Sequence, residues 1–323
     1  MSVASTRSRF INACRCYGNY ALSRLGLVRI THMPTFISVE PASVCQLRCP
    51  ECPVGMAKGE PSAVNGERFM SLDLWHRVLE QIVPYSHTVQ FYFQGEPLLN
   101  KDLPKMIREA HDTGLYTIIS TNAQALTPEL SEALIAAGLS RIIVSMDGLT
   151  ESSYTAYRVG GSLEKTKAAL LSLHQAKERL HGRTTIELQV LRLRTNEHEW
   201  TDFKKQYKSL GADRLVFKTA QLYDYRHGHP LMPSDPRYSR YIQRADGLYH
   251  RRPLSKTCLR AWSGAVISAN GEVLPCCYDK AHAHTYGNIK EMSLAELFRN
   301  EKAVAFRKAA LQQSPQICQE CYK

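Results

Sequence analysis

Between residues 35 and 219, short β-branched runs alternate with longer stretches whose apolar positions recur every three to four residues. The first run, 35–39, precedes a helix signalled by Trp75, Val78, Leu79, Ile82 and Val83, with Ser71 placed to cap it. Residues 88–93 are the second expected strand, and a helix from about Asp102 stops at Gly114. The third strand is 116–120; Thr127 and Pro128 then open a helix that Gly138 closes. The fourth strand is 141–145, followed by a long helix over 162–181. The fifth, 185–191, alternates Ile186, Leu188 and Val190 with Glu187 and Gln189. Trp200, Phe203, Tyr207 and Leu210 line a helix ended by Gly211, and 214–219 is the sixth strand. Strand–helix units at this spacing predict a parallel α/β domain. Periodicity alone fits a barrel as well as a doubly wound sheet. No Gly-x-Gly-x-x-Gly follows the first strand, which counts against a dinucleotide-binding sheet.

Residues 221–256 lose this rhythm and are rich in Tyr, Pro, His and Arg; they read as a connection with a short helix around 236–248. A second module is expected from residue 257. In it, 265–268 and 272–274 make a hairpin turned at Ala269-Asn270-Gly271, and Ser293 with Glu296 forms a capping box. Residues 1–39 hold five arginines (Arg7, Arg9, Arg15, Arg24, Arg29) and no acid. That is the composition of an organelle transit peptide or a membrane-surface helix; we read it as a basic helix packed on the main domain. The chain thus divides into a basic segment 1–34, an α/β domain 35–220, a connection 221–256 and a small module 257–323.

The 323 residues carry a formal charge of +11, yet no run of lysine and arginine exceeds two and no stripe of aromatics interleaved with basic residues concentrates it. Nucleic acid is therefore not expected as a partner. No apolar run reaches the ~18 residues of a membrane-spanning helix, and no secretory signal is visible. Ten cysteines would suggest disulfides in an oxidising compartment. Seven of the ten instead fall into two metal-like groups, which suits a reducing cytoplasm.

The first group is Cys45, Cys49 and Cys52, spaced C-x3-C-x2-C just after the first strand. Three thiolates do not complete a structural zinc site, which closes four ligands around the metal. They can hold three irons of a [4Fe–4S] cluster and leave the fourth open. The second group is Cys258, Cys276, Cys318 and Cys321. Four cysteines with a C-x2-C half can close either an iron–sulfur cluster or a zinc ribbon. Cys277 adjoins Cys276 and is an alternative ligand, a free thiol or a buried one; Cys14 and Cys16 have no assigned role.

The cysteine loop resembles that of the radical S-adenosylmethionine (SAM) superfamily. Phe93-Gln94-Gly95-Glu96-Pro97 looks like that superfamily's Gly-Gly-Glu motif, with Gln94 in place of the first glycine. Ser120-Thr121-Asn122 and Ser145-Met146-Asp147-Gly148 follow at the next two strand ends, and Arg158 lies in Tyr157-Arg158-Val159-Gly160-Gly161. The resemblance implies a partial (β/α)6 barrel with its chemistry at the carboxyl ends of the strands. It further implies that Gly95 and Glu96 receive the SAM ammonium, that Ser120, Asn122 and Ser145 bind ribose and carboxylate, and that Arg158 pairs with the carboxylate. Val190 and Val216 lie where adenine would pack, though both suit a core. Glu51 precedes the third cysteine, where many members carry an aromatic residue against adenine. Gly271-x4-Cys276 and the terminal C-x2-C resemble the "twitch" module, a shortened relative of the SPASM domain, which makes the second module a small α+β carrier of one auxiliary [4Fe–4S] cluster.

The implied activity is reductive cleavage of SAM and hydrogen abstraction by a 5′-deoxyadenosyl radical, with the auxiliary cluster accepting an electron from the substrate radical. The result is a dehydrogenase-like oxidoreductase fed by a donor such as flavodoxin or ferredoxin. Redox-neutral epimerisation, with Cys277 as hydrogen donor, and peptide modification are the alternatives. The short stretch ahead of the first strand leaves little room for a leader-peptide-binding domain. The substrate, a small molecule or a peptide, has no motif of its own; Lys218, Gln189, Arg260 and Tyr278 are polar groups expected near the cavity. Cys277 is expected near the auxiliary cluster rather than facing SAM, which favours oxidation. From another class, the rival is a non-enzymatic, zinc-stabilised binding protein.

Overall fold

The computed structural model describes residues 6–57, 67–252 and 258–321. Helix α1 is Thr6–Ser23, and β1, Phe36–Val39, leads through the cysteine loop into a one-turn α2, Pro53–Met56. Then follow α3 (Leu72–Ile82), β2 (Thr88–Phe91), α4 (Leu103–Asp112), β3 (Tyr116–Thr121), α5 (Pro128–Ala136) and β4 (Arg141–Ser145). After α6 (Glu151–Thr155) come α7 (Leu163–Arg179), β5 (Thr185–Arg192), α8 (Trp200–Gln206) and β6 (Arg214–Thr219). A small pair, β7 (Tyr241–Gln243) and β8 (Tyr249–Arg251), stands apart. The chain closes with α9 (Arg260–Ser263), β9 (Gly264–Ile267), β10 (Glu272–Leu274), β11 (Gly287–Asn288), α10 (Leu294–Arg299), α11 (Glu301–Leu311) and α12 (Gln316–Gln319).

The six expected strands run parallel in the order β1 to β6, with pairs such as Phe36 opposite Thr88 and Arg141 opposite Thr185. Helices cover the outer face, against which the apolar residues pack, while polar strand residues such as Gln90 and Gln189 alternate with them on the inner face. Ile37, Val89, Ile119, Ile142, Val144, Ile186 and Leu188 all belong to one buried cluster with Trp75 and Leu79 of α3. The caps fall where hydroxyls precede apolar periodicity. Ser71 Oγ accepts from the Leu74 N–H, Thr127 Oγ1 from Leu130, and Ser293 and Glu296 close a capping box.

The second module shares the first domain's sheet. Strand β9 pairs in parallel with β1, Phe36 opposite Gly264, and β10 returns antiparallel through the Asn270-Gly271 turn, where Gly271 holds φ +93°. The carboxyl end of β9 therefore lies beside that of β1, on the side of the cysteine loop.

The helix expected around 236–248 is instead a short 3-10 turn, Pro236–Tyr238, followed by the β7–β8 hairpin. Asp246-Gly247 supplies the turn, with Gly247 at φ +76°, and Asp-Gly between strands is a hairpin signal that outweighs weak helical spacing. Helix α1 packs on the main domain through an unusual face. Its buried residues are Arg9, Asn12, Cys16, Asn19 and Ser23. The Arg9 guanidinium donates to the carbonyls of Val83, Thr113 and Gly114, the C-terminal ends of α3 and α4, at 2.8–3.0 Å. Free helix-end carbonyls attract a cation, which accounts for an arginine being buried there.

Candidate active site

At the carboxyl ends of the strands lies a cavity of ≈ 430 Å³. Cys45, Cys49 and Cys52 line one side of it, together with Gly95, Glu96, Ser120, Asn122, Ser145 and Arg158 from the successive strand ends. The sequence-predicted groups of the first domain are thus brought together around one space.

Close backbone approach shapes the loop. A Cβ on Gly95 would sit 2.1 Å from the Ala42 carbonyl oxygen, and one on Gly55 would sit 2.4 Å from that of Cys49. Only glycine permits either contact. The Cys45 Sγ accepts from the Leu47 N–H and from Asn122 Nδ2, both at 3.4 Å. Gln46 Nε2 donates to Asn122 Oδ1 at 3.1 Å, so Asn122 ties the loop to the end of β3.

Glu96 is buried, and its oxygens accept from Thr121 Oγ1 at 2.6 Å, the Asn122 N–H at 2.8 Å and the Leu98 N–H at 3.2 Å. It is first a clamp between the ends of β2 and β3. Arg158 is held through Nε by Asp147 at 2.6 Å, and its Nη1 points to Cys49 Sγ at 4.0 Å. Burial alone would lower the Arg158 pKa, but Asp147 and the Cys49 sulfur raise it overall, so the guanidinium is charged at any working pH. Gln94, at the position of the expected glycine, donates from Nε2 to the Lys280 carbonyl at 2.9 Å and lines the cavity; its Oε1 is buried with no hydrogen-bond partner among the described residues. Glu51 is also committed, to His229 Nε2 at 3.2 Å and the Tyr223 N–H at 2.7 Å. The residue that replaces an aromatic thus anchors the cysteine loop to the connection.

The chemistry of the donors fits iron–sulfur ligation. Burial, together with Glu96 and the two neighbouring cysteines, pushes the Cys45 thiol up to about 12. Thiols buried in this way do not ionise on their own; a cationic core between them supplies the missing charge. Among the described residues no three His, Cys, Asp or Glu side chains are gathered as a single ion would need. Cluster thiolates each bind a different iron and stand further apart than the ligands of one ion.

In the second module, burial raises the Cys276 pKa, and Cys277, Cys258 and Cys318 add to it. Burial raises Cys318 to about 11, with Cys258 and Cys321 adding to it. These effects gather Cys258, Cys276, Cys318 and Cys321 in one neighbourhood. Cys277 departs from its expected place: it lines the cavity of the first cysteine group. Cys276 and Cys277 lie in a turn closed by the Asp279 N–H on the Cys276 carbonyl at 3.2 Å, and of the two only Cys277 lines the cavity.

Lys218, Gln189 and Tyr278 line the cavity as expected, whereas Arg260 does not. It lies at the opposite, amino-terminal end of the strands, its guanidinium 4.9 Å from the Phe36 ring. A four-residue helix carries it there before β9 begins. Val190 is fully buried in the core, and Val216 does not line the cavity. Arg240 and Lys280 line it without having been foreseen, since both come from aperiodic loops.

Comparison with known proteins bears on both modules. The family model of the radical SAM superfamily matches residues 39–199, and that of an iron–sulfur cluster-binding domain, SPASM, matches 258–322. The chain is 26% identical over 317 residues to an AdoMet-dependent heme synthase of Methanosarcina barkeri, covering 87% of this chain and 86% of that one. It is 28% identical over 333 residues to a PqqA peptide cyclase of Xanthomonas oryzae pv. oryzae, covering 90% and 80%. Among solved structures, that of BtrN in complex with AdoMet and 2-DOIA superposes with a TM-score of 0.55 at 19% identity, over 90% of this chain and 94% of that chain. This last likeness is one of fold. Among the described residues no helix is long and apolar enough to cross a membrane.

Proposed function

Since the chain belongs to the radical SAM superfamily and carries a C-terminal SPASM module, with a SAM-binding [4Fe–4S] cluster, SAM and an auxiliary [4Fe–4S] cluster as its cofactors, we propose that it oxidises an organic substrate by hydrogen abstraction. When bound, the reduced cluster and SAM supply methionine and a 5′-deoxyadenosyl radical. With both clusters held by their cysteines, the substrate would lose one hydrogen atom to that radical, one electron to the auxiliary cluster and one proton to solvent, a two-electron oxidation.

The observation that carries this reading is the position of the cavity. It has Cys45, Cys49 and Cys52 on one side and Cys277 on another, and Cys277 is one residue from Cys276 of the second group. A substrate there lies between the source of the radical and a sink for the electron. In this reading Cys45, Cys49 and Cys52 hold the SAM-binding cluster, and Cys258, Cys276, Cys318 and Cys321 the auxiliary one. Arg158 receives the SAM carboxylate, fixed in aim by Asp147. Gly95 and Glu96 flank the ammonium, and Ser120, Asn122 and Ser145 line the ribose side. Gln221 and Arg240 of the connection complete the wall of the cavity.

Three cationic side chains lie on the remaining wall, Lys218, Arg240 and Lys280; Arg240 donates to Thr219 and Tyr278, and Lys280 to the Tyr223 hydroxyl. The two carboxylates that line the cavity, Glu51 and Glu96, are both bonded to the protein itself. A small molecule or peptide bearing a carboxylate or phosphate suits this wall. All ten cysteines are free of disulfides, in keeping with a reducing cytoplasm and a donor of the flavodoxin or ferredoxin kind. The test is to incubate the reduced protein with SAM under anaerobic conditions. It should form 5′-deoxyadenosine and methionine slowly, and faster with the true substrate; no 5′-deoxyadenosine from protein with both clusters would end the proposal. Anionic candidates should stimulate more than their neutral analogues.

A second reading has one observation in its favour. Cys277 lines the cavity, where a thiol can return a hydrogen atom to the substrate radical and make the reaction a redox-neutral epimerisation.

A further inference from the structure

Helix α1 is built inside out. Its polar side chains Arg9, Asn12, Cys16, Asn19 and Ser23 face the protein. The opposite face leaves Phe10 66%, Ile11 40% and Tyr17 59% exposed, and Leu25 and Leu27 just beyond the helix are 77% and 56% exposed. At 100° per residue Phe10, Ile11, Cys14, Tyr17 and Ala21 share this outer face. Arg15 and Arg24 flank it, and Arg7 lies near its middle. Arg7, Arg15, Arg24 and Arg29 are all exposed, and none has an ion-pair or hydrogen-bond partner among the described residues. There is no acid anywhere in residues 1–39. A shallow pocket of ≈ 330 Å³ opens on the same surface, lined by Arg7, Ile11, Asn12, Arg15 and Tyr85 among others.

We propose that this face is a membrane-docking surface, on which α1 lies in the headgroup layer of an anionic bilayer. An apolar stripe flanked by arginines is the pattern of a helix that lies in the interface plane. Long arginine side chains reach up to phosphate while their stems stay beside the apolar stripe. The pocket between Arg7 and Arg15 has the size and charge to take one lipid phosphate. Arg9 binds the helix ends that precede β2 and β3, so α1 sits at the amino-terminal end of the strands. The cavity opens at the other end. An electron donor docked on α1 would lie at the end of the strands opposite the first cysteine group, whereas a bilayer there leaves the cavity mouth facing water. Two copies meeting through this face would bring eight unpaired arginines together, which repulsion opposes. The bilayer is the occupant that satisfies apolar and cationic parts at once.

The experiment uses the cluster-loaded full chain with two sets of vesicles, one of phosphatidylcholine alone and one with about a third phosphatidylglycerol. The chain should co-sediment with the second set and not the first, and raising salt to about 0.5 M should release it. Arg15→Gln and Arg24→Gln should each weaken partitioning about fivefold. Phe10→Ser with Tyr17→Ser should abolish it, with iron content and SAM cleavage unchanged. Tyr17→Trp should blue-shift its emission on the anionic vesicles. Equal partitioning to both sets, or no blue shift, overturns the proposal. So does a dimer in lipid-free solution that Phe10→Ser with Tyr17→Ser dissolves, because a second copy would then own the face.

Discussion

Asp147 Oδ2 lies 2.6 Å from Arg158 Nε, and the same carboxylate accepts the Leu191 N–H through Oδ1, also at 2.6 Å. One buried acid therefore joins the end of β4, the end of β5 and the arginine that faces the cysteine loop. Arg158→Ala should weaken SAM binding by a charge-assisted contact of ~1.5–3 kcal/mol, roughly ten- to a hundredfold. Asp147→Asn keeps the shape and loses the charge, so it should weaken SAM by a smaller factor while Arg158 swings from its aim. Anaerobic equilibrium binding measures both. Normal affinity in Arg158→Ala would show that the carboxylate is held elsewhere.

Iron content separates the two cysteine groups. Reconstituted protein should hold about eight irons per chain, as two [4Fe–4S] clusters require. Replacing Cys45, Cys49 and Cys52 together by alanine should leave about four. Cys276→Ser should lose the auxiliary cluster and Cys277→Ser should not, because Cys276 neighbours Cys258 and Cys318 while Cys277 lines the cavity. Stoichiometric zinc with no iron in anaerobically purified protein would contradict the assignment of both groups.

Glu40 predicts a pH dependence of stability. It is buried at the end of β1, with Oε2 accepting the Ala269 N–H at 3.2 Å and Oε1 unpartnered among the described residues. Burial raises its pKa from 4.5 to about 7, opposed by backbone N–H groups of Ala269, Gln94 and Gly95. A carboxyl whose folded value is the higher one adds stability that is fully present below the unfolded value and lost as pH rises through the folded one. Between about pH 6 and pH 8 the protein should lose about 1 kcal/mol on this account, or about 2 °C in Tm. Glu40→Gln should flatten that part of the profile; parallel melting profiles for the two proteins would show that Glu40 does not titrate there.

The strand–helix rhythm was legible because each strand is a local run rich in β-branched residues and each cap a local hydroxyl, as at Ser71 and Thr127. The cysteine loop was legible because its three ligands lie within eight residues. What escaped were pairings between distant segments. Glu51 meets His229, Gln94 meets Lys280, and Arg9 meets Val83, Thr113 and Gly114, none of which any periodicity announces. Arg260 was misplaced because polarity says nothing about which end of a strand a side chain occupies. The outward apolar face of α1 was hidden by its composition, since its arginines drew attention away from Phe10 and Tyr17.

Cys277 decides between oxidation and epimerisation, and its position sharpens the test. Its neighbour Cys276 belongs with the second cysteine group, while Cys277 lines the cavity together with Tyr92, Tyr278 and Lys280. If the substrate radical is oxidised, its electron leaves by the auxiliary cluster and no hydrogen atom comes back from the protein. Cys277→Ser then keeps turnover, since serine fills nearly the same space and both clusters stay bound. If the radical is instead quenched, a hydrogen atom must arrive from the face opposite to the abstraction, and a thiol is the side chain best suited to give it. Cys277→Ser would then still form 5′-deoxyadenosine but no epimer, and wild-type product made in D2O would carry deuterium at one unoxidised carbon. The adjacency of the second cysteine group favours oxidation, so we expect Cys277→Ser to stay active and the product to be free of solvent deuterium. Deuterium in an unoxidised product, lost in Cys277→Ser with both clusters intact, would move the assignment to epimerisation and make Cys277 the donor.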